Sequence, residues 1–160
     1  MKRLALAPVL VLLLLPIAAC EDLLFDDPEH VYSGPPTVEF APVLPAGNYT
    51  RTITFSSTAT ADQNTNVRVN FIATSASGAS GEIMREASST AQEGTHYRFT
   101  SGSSYSIATG SWFVDVPIEV LSSGLTPGQS VTLVLELAPG QGFEVSEKYK
   151  QFTLTLRRTS

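Results

Sequence analysis

The chain contains two histidines, His30 and His96, and many serines, so acyl-transfer chemistry is the first possibility to weigh. A catalytic triad needs a histidine held between a nucleophile and an acid. No serine here lies in a Gly-x-Ser-x-Gly elbow. His30 falls in an acidic stretch, and His96 sits beside Tyr97 at the start of a short alternating run. His96 is therefore read as a hydrogen-bonding residue of a turn. Zinc takes three or four clustered His, Cys or acidic ligands. Two distant histidines and one cysteine do not supply them, and no metal or other cofactor is expected.

Two carboxylates flanking a bond would suggest glycoside hydrolysis. Asp115 and Glu119 lie four residues apart on one face of an alternating run, where ordinary solvation of a sheet accounts for them. No catalytic residue is assigned, and a small envelope hydrolase is the least favoured reading. Aromatic rings could instead stack on a ligand. Phe113 alternates with Trp112, so one of the two points outward, and Tyr32 and Tyr149 lie near turns. Phe113 and Tyr149 are the candidate ligand-stacking residues. Packing at the ends of a core would explain the same rings.

The strongest chemical signal is at the start. Lys2 and Arg3 precede an apolar run from Leu4 to Ile17, interrupted by Pro8 and Pro16. The run is shorter than the roughly 20 apolar residues that span a bilayer, and it fits a secretory signal. It ends at Ile17-Ala18-Ala19-Cys20, which resembles a lipobox, the site of lipoprotein signal peptidase. The resemblance implies cleavage before Cys20, a diacylglycerol on its thiol and an acyl group, such as palmitate, on its freed amine. One acyl chain binds a membrane only marginally, whereas two or more anchor stably. Cys20 is the single cysteine, so no disulfide can form within the chain.

Residues 1–19 are thus read as a lipoprotein signal peptide. Residues 20–36 are read as the lipidated cysteine and an acidic, flexible tether. Five of the nine residues Glu21-Asp22-Leu23-Leu24-Phe25-Asp26-Asp27-Pro28-Glu29 are acidic. Such a stretch resembles the export tag that carries some Gram-negative lipoproteins to the cell surface, and it equally suits a solvated linker. The expected location is the cell envelope, at the outer membrane and exposed at the surface.

Charge bears on partners. The formal net charge is −5, and loss of Lys2 and Arg3 takes it to −7. Nucleic-acid affinity needs clustered Lys and Arg, so nucleic acid is not an expected partner. Attraction to anionic lipid is disfavoured as well, which leaves the acyl chains to hold the membrane. The remaining partner classes are a glycan or another envelope protein.

The elements that would carry these residues are strands. Val114, Val116, Ile118 and Val120 share a face with Trp112, against Asp115, Pro117 and Glu119. Val131, Leu133, Leu135 and Leu137 alternate with polar or smaller residues, as do Phe152, Leu154 and Leu156. Side chains of a strand point to opposite faces in turn, so each run has one buried and one wet face. Weaker runs are Val38–Phe40, Ile53 with Phe55, Val67 to Ala73, and Ile83 to Ala87. Tyr97 with Phe99 and Tyr105 with Ile107 read as two arms of a hairpin around Ser101-Gly102-Ser103. Ser75–Ser80 and Ser122–Gln129 read as loops, Leu125 as a plug on the core, and Phe143–Lys150 as holding a helical turn. Residues 37–160 are therefore expected to form an all-β, antiparallel, immunoglobulin-like β-sandwich of seven or eight strands.

The segment Thr90-Ala91-Gln92-Glu93-Gly94-Thr95-His96-Tyr97 precedes the paired runs, then come Val116-Pro117-Ile118, Leu125-Thr126-Pro127-Gly128 and Val131 to Leu137. This order resembles the Calx-beta-like domains of Gram-negative surface lipoproteins associated with polysaccharide uptake, over roughly Val67 to Leu156. The resemblance implies a seven-stranded immunoglobulin-like fold and an adhesive or assembly role. It departs from calcium-binding Calx-beta domains at Leu121 to Gly128, which holds no carboxylate. Calcium wants six to eight oxygen ligands, commonly several carboxylates, so no calcium site is carried over. The leading expectation is a non-catalytic binding or assembly module held on a membrane, and the alternative is a glycan-binding accessory of polysaccharide uptake.

Overall fold

A computed structural model describes residues Tyr32–Ser160. The signal segment, Cys20, His30 and the tether as far as residue 31 lie outside the described residues. In chain order the strands are β1 (Thr37–Phe40), β2 (Thr50–Phe55), β3 (Gln63–Ile72), β4 (Ala79–Arg85) and β5 (Tyr97–Phe99). Then follow β6 (Ser104–Ile107), β7 (Phe113–Val120), β8 (Ser130–Leu137), β9 (Glu144–Val145) and β10 (Gln151–Arg158). They form two five-stranded sheets, β5-β7-β3-β1-β9 and β2-β10-β8-β4-β6. The all-β sandwich is as expected.

Period-two patterning builds the core. Val67, Val69 and Phe71 of β3 and Val116, Ile118 and Val120 of β7 are buried from the first sheet. Leu133, Leu135 and Leu137 of β8 and Phe152, Leu154 and Leu156 of β10 are buried from the second. Each such side chain contributes about 1.5–3 kcal/mol through loss of water contact. Phe40 and Phe152 meet between the sheets with ring centroids 5.7 Å apart. Leu125 is buried, as the sequence suggested.

Several details depart from the expectation. Tyr97–Phe99 and Ser104–Ile107 are not a hairpin. The first pairs with β7 (Tyr97 opposite Val120), the second with β4 (Ala79 opposite Ile107). Residues 100–103 carry the chain from one sheet to the other. Both arms aim one face at the core in either arrangement, so alternation cannot separate a hairpin from a crossover.

Two pairings are parallel, β1 with β9 and β2 with β10, so the sandwich is not antiparallel throughout. There are ten strands because short edge pieces are added. The main addition is β9, which occupies the place expected to be a helical turn, followed by a turn in which the Tyr149 amide donates to the Ser146 carbonyl at 3.2 Å. Trp112 precedes β7 and does not join its buried face: it is 47% exposed. Finally, β4 begins at Ala79, inside the segment read as a loop.

Candidate binding groove

The first sheet has an outer face built mainly by β3 and β7. Register places Asn66 opposite Pro117, Arg68 opposite Asp115, and Asn70 opposite Phe113. Cross-strand neighbours of this kind are close enough to interact. Arg68 grips Asp115 with both ends of its fork: Nε donates to Oδ1 and Nη2 to Oδ2, each at 2.9 Å. The same guanidinium lies 4.0 Å from the centroid of the Phe113 ring, within cation–π range. The Arg68 hydrogen bonds hold the Asp115 carboxyl below its ordinary pKa. Phe113 is 48% exposed, so one sequence-predicted aromatic does face solvent.

Beside this cluster is a groove of about 360 Å³. It exists because β1 pairs with only the Val69–Ile72 half of β3. After Phe40 the chain makes one more bond, from the Ala41 amide to the Arg68 carbonyl at 2.8 Å. It then leaves for β2 in the other sheet. The departing loop is closed by the Val43 amide donating to the Asn48 carbonyl at 2.7 Å. Pro42, Val43 and Leu44 form an apolar wall of the groove, and Leu44 is 79% exposed. Asn66, Arg68, Asn70 and Asp115 form a polar wall, with Arg51 of β2 completing it.

Arg51 spans the uncovered edge of β3. Its Nη1 donates to the Thr65 hydroxyl and, at 2.9 Å, to the Asn66 carbonyl. Both acceptors are neutral. Among the described residues, no carboxylate forms an ion pair with Arg51. The charged side chains lining the groove are thus two arginines and one aspartate, in a protein whose formal net charge is −5.

The other sequence-selected residues lie elsewhere. Tyr149 is half-buried and stacks on Tyr49, with centroids 4.6 Å and planes 21° apart, while the Lys148 ammonium sits 5.0 Å over its ring. This stack engages Tyr149 in packing, and the groove lining does not include it. Tyr32 donates to the Pro35 carbonyl. His96 is buried in a turn, where its Nδ1 accepts the Gln92 amide at 3.0 Å and its carbonyl accepts the Leu121 amide at 2.9 Å. Asp115 and Glu119 are each held by an arginine, Arg68 and Arg98 respectively. Among the described residues, no three His, Cys, Asp or Glu side chains come together as metal ligands would.

At one end of the sandwich, Arg158 fills a cluster of carbonyl groups. It donates to Ser57 at 3.1 Å, to Ser122 and Leu125 at 3.0 Å each, and to Ala59. Two of these carbonyls, those of Ser122 and Leu125, belong to the Leu121–Gly128 segment that carries no carboxylate. Arg51, Arg68, Asn66 and Asn70 were not singled out from sequence. The polar half of the β3 alternation was visible there, but its meaning depends on which strand lies alongside.

No protein-family model matches the chain, and no curated protein matches it either. Solved structures do. The apo-form Calx CBD1 domain aligns over 79% of this chain and 100% of its own length, at 18% identity and a TM-score of 0.54. A Bacteroides ovatus protein of unknown function aligns over 76% of this chain at 14% identity and a TM-score of 0.55. A two-domain Bacteroides fragilis protein of unknown function aligns over 78% at 9% identity and a TM-score of 0.52. The chain spans less than half the length of these last two, 44% and 46%. At such identities the likeness concerns fold: the described part of this chain is a Calx-beta-like β-sandwich.

Proposed function

We propose that this protein is a lipid-anchored, non-catalytic binding module of a bacterial cell envelope, tethered through Cys20 at the outer membrane with its sandwich facing outward. The observation that carries the binding role is the groove. It combines apolar lining at Leu44 with a fixed Arg68–Asp115 pair, and the exposed Phe113 ring lies against the Arg68 guanidinium beside it. The carboxylates that could have served a hydrolase, Asp115 and Glu119, are each neutralised by an arginine. The Arg68 hydrogen bonds lower the Asp115 pKa, the opposite of the raised value a general acid needs. The lipobox-like Ile17-Ala18-Ala19-Cys20 supports the anchor.

The test of the anchor is fractionation with metabolic labelling by an alkyne fatty acid. The native chain should label and sediment with membranes, and Cys20→Ala should do neither. Equal membrane association of the two would refute the anchor. A glycan ligand is the second reading, favoured by one observation: polar side chains in fixed orientation lie next to an aromatic ring and an aliphatic wall. A sugar ring has the same division between hydroxyl edge and C–H face.

A further inference from the structure

We propose that the groove between the Ala41–Leu44 loop and the outer face of β3 and β7 binds an acidic saccharide, a sugar carrying a carboxylate such as a uronate. The inference rests on the binding-module reading above and adds the ligand class. Three features of the groove converge on it.

The first is the Arg68–Asp115 pair. Two of the guanidinium's five N–H groups are spent on Asp115, and each carboxylate oxygen keeps capacity to accept. Donors and acceptors therefore stand side by side in one plane. Adjacent hydroxyls of a sugar, each both donor and acceptor, complement that arrangement. Because Phe113 and Asp115 together hold the guanidinium, little side-chain freedom remains to be lost on binding.

The second is the apolar wall. Pro42, Val43 and Leu44 line, together with the polar side chains, a space of about 360 Å³. That lies in the range of small-molecule sites. Leu44 is 79% exposed, and a C–H face of a sugar ring would cover it.

The third selects charge. Arg68 and Asp115 cancel, which leaves Arg51 as the unmatched cation of the lining. Its own partners, Thr65 and the Asn66 carbonyl, are neutral. A ligand carboxylate would form a charge-assisted hydrogen bond to it, stronger than a neutral one. A neutral sugar would leave that contribution unused. An inorganic anion would use Arg51 but neither the diol-binding pair nor the apolar wall.

The test uses the full chain in a polyoxyethylene detergent, which carries no sugar, and titration calorimetry at low salt. The probes are trisaccharides of galacturonate, mannuronate and glucuronate-containing hyaluronan, with maltotriose, sulfate and phosphate as separate arms. At least one uronate saccharide is expected to bind at least tenfold tighter than maltotriose, with neither inorganic anion binding. Arg51→Gln should abolish the preference, and Arg51→Lys should keep part of it. Phe113→Ala should weaken the acidic saccharide severalfold while the Arg51-dependent preference persists. Failure of all three uronates to bind, or equal binding to Arg51→Gln with unchanged melting temperature, would overturn the proposal. So would sulfate or phosphate binding as tightly as the saccharide, which would indicate an anion site alone. Membrane association of native chain but not Cys20→Ala, measured in parallel, is a separate readout. It distinguishes failure of this ligand class from failure of the anchored-module reading.

Discussion

Gly124 packs against the backbone of Thr95 so closely that a β-carbon at Gly124 would overlap the Thr95 carbonyl oxygen and lie 3.2 Å from the His96 Cα. The short 3-10 turn Ser122–Gly124 is thereby laid on the turn that presents His96. The Leu121 amide bonded to the His96 carbonyl fixes the same contact at 2.9 Å. Gly124→Ala must push two backbones apart. Overpacking of this kind costs about 1–3 kcal/mol. A denaturant melt should show that loss. Gly94→Ala meets no neighbouring atom, so its cost should come only from its positive φ of 78°.

The half-buried character of β7 can be tested on adjacent residues. Ile118 is fully buried, whereas Glu119 reaches the outer face and pairs with Arg98. Ile118→Ala should cost about 2–5 kcal/mol. Glu119→Ala removes a surface ion pair and should cost no more than about 1 kcal/mol. Urea melts of the two variants decide it, and equal losses would be incompatible with a strand having one core face.

Tyr105 is buried with an unpartnered hydroxyl, and burial pushes its pKa up to about 12 from the ordinary 10.0. In the unfolded chain the phenol ionises near 10, while in the folded protein it keeps its proton. Stability from this residue is therefore intact below pH 10 and is lost as pH rises from about 10 towards 12. Tyr105→Phe deletes a buried group that makes no hydrogen bond. Near neutral pH it should leave stability unchanged or raise it by about 1 kcal/mol. Its melting temperature should also fall less steeply above pH 10 than that of the native chain.

Arg158 should behave as a structural cation. Four backbone carbonyls from two segments, Ser57–Ala59 and Ser122–Leu125, converge on its guanidinium. Hydrogen bonds to a charged group contribute about 1.5–3 kcal/mol each when a partner is removed. Arg158→Ala should therefore cost at least about 2 kcal/mol by chemical denaturation, and Arg158→Lys should recover only part. Millimolar calcium should not raise the melting temperature of the native chain. The Ser122 and Leu125 carbonyl groups already serve the guanidinium, and binding of calcium would show itself as stabilisation by mass action.

The Arg68–Asp115 pair gives an acid-side counterpart. The pair lowers the Asp115 pKa, so its stabilisation is present above the ordinary carboxyl range near 3.8 and is lost as pH falls through the lowered value. Both side chains are at least a third exposed, which limits the effect to below about 1 kcal/mol. Asp115→Asn should produce that small loss near neutral pH, and the difference from native should vanish on acidification.

How much could be read beforehand follows from the range of each interaction. The runs Val114 to Val120, Val131 to Leu137 and Phe152 to Leu156 announced their strands and buried faces, because side-chain alternation is a property of the strand itself. Leu125 as a plug and His96 as a turn residue were legible from neighbouring residues in the same way. Pairing was not. Tyr97–Phe99 and Ser104–Ile107 belong to opposite sheets, although their alternation would suit a hairpin equally. The groove was also beyond sequence. Arg51, Arg68 and Asp115 come from β2, β3 and β7, and only the early departure of β1 from the edge of β3 opens space between them. Local patterning determines which face of each strand is wet, while strand order and register, set by long-range burial, decide which wet residues meet.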